Sequence, residues 1–138
     1  MRILTIDVGK NSGAALCVGG EIKSSVHFIF ESHKQYYNHI CKLIDKCNPE
    51  VIGTAKPSRF YNTIFSHAQM ISLIQLAAEE RGISVFLLFD REFKSWAFPK
   101  QKKITKQDVL DKFGGATDDE GDSRMFAMYL DANLVEEK

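Results

Sequence analysis

The chain has 138 residues, 44% of them hydrophobic, and its 18 basic residues balance 18 acidic ones. That length suits a single domain, residues 1–138, burying roughly two thirds of its unfolded surface. No apolar run reaches the ~18 residues of a membrane span, and MRILTIDVGK carries an acid inside its apolar stretch with no small-residue cleavage site, so a cytoplasmic protein without a membrane partner is expected. Cys17, Cys41 and Cys47 lack CxxC spacing, which excludes a disulfide framework and a zinc knuckle and predicts reduced, mostly buried thiols.

RILTIDV is apolar and β-branched and predicts a first strand, with GKNSG as the turn after it. AALCVGG and EIKSSVHFIF predict two strands around a Gly19-Gly20 hairpin turn. From Ser32 as N-cap, Tyr36, Ile40, Leu43, Ile44 and Cys47 recur at helical spacing until Asn48-Pro49 stops the helix. EVIGT predicts a fourth strand. Beyond Pro57 a long helical pattern covers residues 62–81, with Gly82 placed to end it. ISVFLLF predicts a fifth strand, apolar throughout and so buried on both faces. Thr105 and Asp108 form a capping pair that opens a short helix, KQDVLDKF, ended by Gly114-Gly115, and a last helix begins near Asp118. The order βββαβαβα, with one small extra helix before the last, implies an α/β protein: a mixed five-stranded sheet, three antiparallel strands followed by βαβ units, with helices on both faces. This is the order of the ribonuclease H-like fold.

The charge balance hides a segregation. Between Arg91 and Lys106 stand six basic residues against Glu92 alone, whereas between Asp108 and Lys138 nine acids face three basic residues. A polyanion groove beside a cation site gives such a pattern, and so do solvated faces that neutralise one another.

Asp7 ends a strand expected to be central, on the face shared with Ile3 and Thr5, where an ionised carboxylate needs a partner or else caps the following turn. Gly9 and Gly13 would let the backbone pass close to a phosphate or metal. TDDEGDSRMF puts Asp118, Asp119, Glu120 and Asp122 in the first turn of the last helix, where acids favour the helix dipole. Asp119 and Asp122, at i and i+3, also share one helix face and so converge on a cation together with Asp7. Hard carboxylates suit Mg²⁺ or Mn²⁺, and two such ions about 3.5–4 Å apart activate water and stabilise a leaving alkoxide in phosphodiester hydrolysis. An EF-hand is excluded by the position of Gly121 and the lack of a following bidentate Glu. His27, His33, His39 and His67 have no ligand spacing and are read as surface or packing residues.

Together these segments resemble the RuvC-like Holliday junction resolvases, especially the short phage and poxvirus type. ILTIDVGKNSGAAL resembles the family's opening strand, and DSRMFAMYL its closing helix. The resemblance implies Asp7, Asp119 and Asp122 as catalytic, metal-binding carboxylates for two Mg²⁺ or Mn²⁺ ions. FKSWAF and KQDV resemble its basic segment, which puts Lys106 near the scissile phosphate. The family carries a glutamate at the end of the fourth strand, where this chain has Ala55, and an aromatic three residues later in bacterial members, where this chain has Ser58; Phe60 or Tyr61 would take that role. Glu50 lies five residues upstream, out of reach, and Asp90 ends the next strand.

The resemblance therefore implies a homodimeric, structure-specific endonuclease of branched DNA, dimerising through the 60–81 helix, whose apolar residues spread over more than one stripe. Lys10, Lys56, Arg59, Phe60, Lys94, Lys102 and Lys103 would contact DNA. Ala55 marks this chain as a catalytically impaired Glu-to-Ala form. The alternatives are a homologue that binds junctions without cutting and an RNA-directed nuclease of the same fold. Phosphotransferases that open on a similar Asp-Gly strand pair two such domains in a chain over twice as long.

Overall fold

Alternation along RILTID sends Leu4 and Ile6 to one face of a sheet and Ile3, Thr5 and Asp7 to the other, and both faces are covered. The computed structural model describes residues 1–8, 11–56 and 61–136, without the side chains of residues 11, 56, 61–66, 90, 91, 135 and 136. The elements are β1 (Arg2–Asp7), β2 (Asn11–Val18), β3 (Glu21–Ile29), α1 (His33–Cys47), β4 (Val51–Lys56), α2 (Tyr61–Glu79), β5 (Ser84–Phe89), α3 (Asp90–Ala97), α4 (Lys106–Phe113) and α5 (Asp118–Glu136). The sheet runs β3-β2-β1-β4-β5. β1, β2 and β3 pair antiparallel, and β4 and β5 continue from β1 in parallel, so the mixed five-stranded sheet is as expected.

One face holds Leu4, Ile6, Val8, Ala14 and Ile52 against Tyr36, Ile40 and Ile44 of α1 and Met70, Ile71 and Ile74 of α2. The opposite face holds Ile3, Ala15 and Cys17 against Phe93 of α3, Val109 of α4 and Met125, Phe126 and Leu130 of α5. Local signals set the helix ends. Ser32 accepts the Gln35 amide at 3.1 Å, Asn48 closes α1 at φ 47°, and Thr105 and Asp108 cap α4 reciprocally. The three cysteines are free, with Cys17 and Cys47 buried.

Three expectations change. GKNSG is not wholly a turn, because Ser12 and Gly13 already pair with β3 and Gly13 also pairs with Asp7. β5 is half-buried from Val85 to Phe89 rather than covered on both faces, since it forms an edge of the sheet. The basic segment contains an additional helix, α3, whose Phe93 and Ala97 bury one turn apart on α5, with the Phe93 and Phe126 rings stacked at 4.7 Å. Packing, not propensity, holds so short a helix.

The β2–β3 hairpin contains a bulge. Val18 pairs with Glu21 and Cys17 with Ile22, but Leu16 pairs with Ser24, so Lys23 is an extra residue. A one-residue shift exchanges the faces of everything beyond it. Ser25 and His27 therefore lie level with Ala15 and Gly13, on the α5 side.

The first turn of α5 docks on β2 at Gly13. A β-carbon there would overlap the Asp119 carbonyl and stand 2.9 Å from the Asp119 β-carbon. Gly13 thus admits the helix backbone, not the phosphate or metal expected from its spacing. Gly13→Ala should lower stability by about 1–3 kcal/mol, read as a lower urea midpoint with an unchanged slope.

Candidate active site

Parallel pairing couples Ile6 with Thr54. One step further along both strands, Ala55 stands level with Asp7, and its methyl group packs with the cluster on the α5 face. On the other side Asp7 pairs with Gly13, and Gly13 with His27. Ala55, Asp7, Gly13 and His27 thus form a row across four strands on one face of the sheet, beneath the start of α5. Asp7 is half-buried, and its charge adds to the burial that holds the Tyr36 phenol well above its ordinary range.

α5 is fastened to this row twice: by the contact at Gly13 and by the buried Thr5 hydroxyl, which donates to the Ser123 carbonyl at 2.6 Å. Asp122 precedes Ser123, and Asp119 lies one turn earlier on the same side of the helix. The acids of this turn have different tasks. Glu120 is buried; its Oε1 accepts from Ser25 at 2.9 Å, while its amide donates to the Thr117 hydroxyl at 3.3 Å. Arg124 completes that network, donating to Ser25 Oγ at 2.8 Å and to the Phe113 carbonyl at 3.3 Å. Asp118 pairs with Lys106 at 3.4 Å. Asp119 Oδ2 lies 3.6 Å from His27 Nε2. Burial above all, with Asp118 adding, pushes the Asp119 carboxyl up from its ordinary value, against His27 and Lys106, which lower it.

Gly121 brings the basic segment to the same place. A β-carbon at 121 would stand 3.0 Å from Leu110 Cδ2 and 3.4 Å from Val109 Cγ1, so α4 lies close against the first turn of α5. Lys106, the first residue of α4, is thereby held beside Asp118 and Asp119. Lys102 and Lys103 are exposed on the preceding loop, which Gln101 organises by donating to the Lys103 carbonyl at 2.9 Å and to Asp108 at 2.7 Å. Lys94 lies on α3. Lys56 ends β4 with its side chain outside the description, and Lys10, Ser58, Arg59 and Phe60 lie outside the described residues, as does Gly9. Glu50 accepts from the Arg2 amide at the far end of β1 and takes no part. Asp90 begins α3.

Among the described residues, no group of three His, Cys, Asp or Glu side chains is close enough to hold a metal ion. Asp7, Asp119 and Asp122 are brought to one face without closing around a common point. Their chemistry fits a hard divalent cation, being carboxylate oxygens, and the raised Asp119 carboxyl marks a place where negative charge lacks compensation. Ala55 supplies no donor. His27 is the site residue that spacing did not reveal, because its place depends on the β3 bulge.

No protein-family model matches the chain, and no curated protein sequence does. Solved structures do. The chain is similar to Thermus thermophilus RuvC with a TM-score of 0.82 at 15% identity, covering 99% of this chain and 97% of that one. T. thermophilus RuvC in complex with a Holliday junction substrate matches with a TM-score of 0.80 at 13% identity, over 99% and 96% of the two chains. The fowlpox virus Holliday junction resolvase matches with a TM-score of 0.60 at 16% identity, over 96% and 99%. The chain has the α/β, ribonuclease H-like fold of RuvC over nearly its whole length.

Proposed function

We propose that this chain is a RuvC-like Holliday junction resolvase whose own form is catalytically impaired: it binds branched DNA and lacks one carboxylate needed to cut it. The carrying observation is the position of Ala55, level with Asp7 at the ends of two parallel strands and on the same face. A glutamate there would add a fourth carboxylate to Asp7, Asp119 and Asp122. Mg²⁺ or Mn²⁺, two ions in the active form, would supply the activated water and stabilise the leaving oxygen. Asp7, Asp119 and Asp122 would hold the ions, and Lys106 would face the phosphate and stabilise its developing charge.

Lys94, Lys102 and Lys103, with Lys10, Lys56, Arg59 and Phe60 around the β4–α2 connection, would contact DNA largely through its backbone, so affinity should fall steeply with salt. Four-way junctions have two-fold symmetry, which a homodimer would match with two sites. α2 supports that assembly: Met70, Ile71 and Ile74 face inward while Leu76 is 48% exposed, leaving a second apolar face.

Ala55→Glu should confer Mg²⁺- or Mn²⁺-dependent cleavage of four-way junctions while the original chain binds them and cuts at least about a hundredfold more slowly, a barrier difference of roughly 3 kcal/mol. A folded Ala55→Glu protein that binds junctions and never cleaves them would overturn the active-site assignment.

The Asp119 carboxyl gives an independent check. Its pKa is raised in the folded state, so the folded chain holds that proton more tightly and stability from this group falls as pH rises from the unfolded carboxylate value through the raised folded one. Asp119→Asn should therefore unfold at a higher temperature than the original chain at pH 7, and that advantage should vanish well below pH 4. Added Mn²⁺ should raise the melting temperature of the original chain and leave the variant unmoved.

A further inference from the structure

His27 is two strands from Asp7 and outside the expected ligand set. The β3 bulge nevertheless sets it level with Gly13 on the face that α5 covers. Over Gly13 lies Asp119, so the row places Asp119 between the Asp7 and His27 strands, and its Oδ2 stands 3.6 Å from His27 Nε2. Asp119 sits in the first turn of a helix, with Asp118 beside it and Glu120 next in sequence. Asp118 is engaged by Lys106, and Glu120 by Ser25. His27 is the partner that the structure provides for the Asp119 carboxylate itself.

We propose that His27 is a positioning residue for Asp119: its imidazole holds Oδ2 on the β3 side and so leaves Oδ1 as the oxygen offered to a divalent cation. This rests on the reading of Asp119 as a cation ligand. A carboxylate in a helix first turn has rotamer freedom that a cation must otherwise quench on binding, and a fixed partner removes part of that cost. Partners of this kind change metal affinity by about 10–100-fold when they are lost. Glutamine presents an N–H donor as imidazole does, whereas alanine offers none.

The experiment titrates the full chain with Mn²⁺ alone, following free Mn²⁺ by electron paramagnetic resonance, for the original protein, His27→Ala, His27→Gln, Asp119→Asn and the His27→Ala/Asp119→Asn double variant. His27→Ala should weaken Mn²⁺ binding by about 10–100-fold, His27→Gln should restore most of it, and the double variant should bind no worse than Asp119→Asn. Circular dichroism melts confirm that each variant compared is folded. If Asp119→Asn loses Mn²⁺ while His27→Ala binds like the original chain, the positioning role is wrong and the ligand reading stands. If Asp119→Asn binds Mn²⁺ normally, the ligand reading fails, and the positioning role fails with it. A nitrogen hyperfine coupling on bound Mn²⁺ that disappears in His27→Ala would overturn the positioning role in favour of direct ligation.

Discussion

The backbone of Asp119 occupies the space that a side chain at residue 13 would need. Everything at this end of the sheet follows from that approach. Because β2 has no β-carbon at Gly13, the first turn of α5 descends onto the sheet, and its acids are carried over the ends of β1 and β4. The Thr5 hydroxyl then fixes the next turn by donating to Ser123. Two anchors one helical turn apart set both the height of α5 and its rotation, so Asp119 and Asp122 are aimed by the core rather than by one another. Since one buried group at each anchor is polar, slipping the helix would leave the Thr5 hydroxyl unpaired inside the protein, at a cost of about 1–3 kcal/mol.

The acidic turn also separates stability from chemistry. Glu120 is buried and fully engaged by Ser25 and Thr117, so it belongs to the scaffold. Asp118 and Lys106 are exposed to 44% and 80% on their side chains, and an ion pair that open contributes little to stability. What it contributes is place, holding the end of the basic segment beside the carboxylates. Asp119 is different, because its burial works against its charge. A fold that only needed stability would have an amide there, so the strain of that carboxylate is evidence of use.

Much of this was legible in the chain. Period-two and period-3.6 patterns located the strands and the long helices, and the Ser32 and Thr105 caps fixed helix starts because such signals are local. The carboxylates Asp7, Asp119 and Asp122 were legible as the end of one strand and one face of one helix. α3 was not, because its only apolar mark is the pair Phe93 and Ala97 within a run of lysines, and it becomes a helix by packing on Phe126. The exposure of β5 follows from its edge position, which is topology and not composition. His27 was hidden by one residue: a hairpin without the extra Lys23 would pair Gly13 with Val26 and turn His27 to the α1 and α2 face.

The methyl group of Ala55 has an electrostatic meaning beyond a lost ligand. Neighbouring strands lie about 4.8 Å apart, so a glutamate at 55 would bring a charge near Asp7 in a row that already faces Asp119. At an effective dielectric constant near 20, two such charges about 5 Å apart repel by roughly 3 kcal/mol, a large share of the ~5–15 kcal/mol that holds a domain folded. A cation between them reverses the sign of that interaction. A site with four carboxylates is therefore tolerable chiefly with its ions bound, while the site with Ala55 stands without them and presents less negative charge to a phosphate. The same substitution that removes a donor for the second ion thus makes the metal-free face a better place for a DNA backbone to rest.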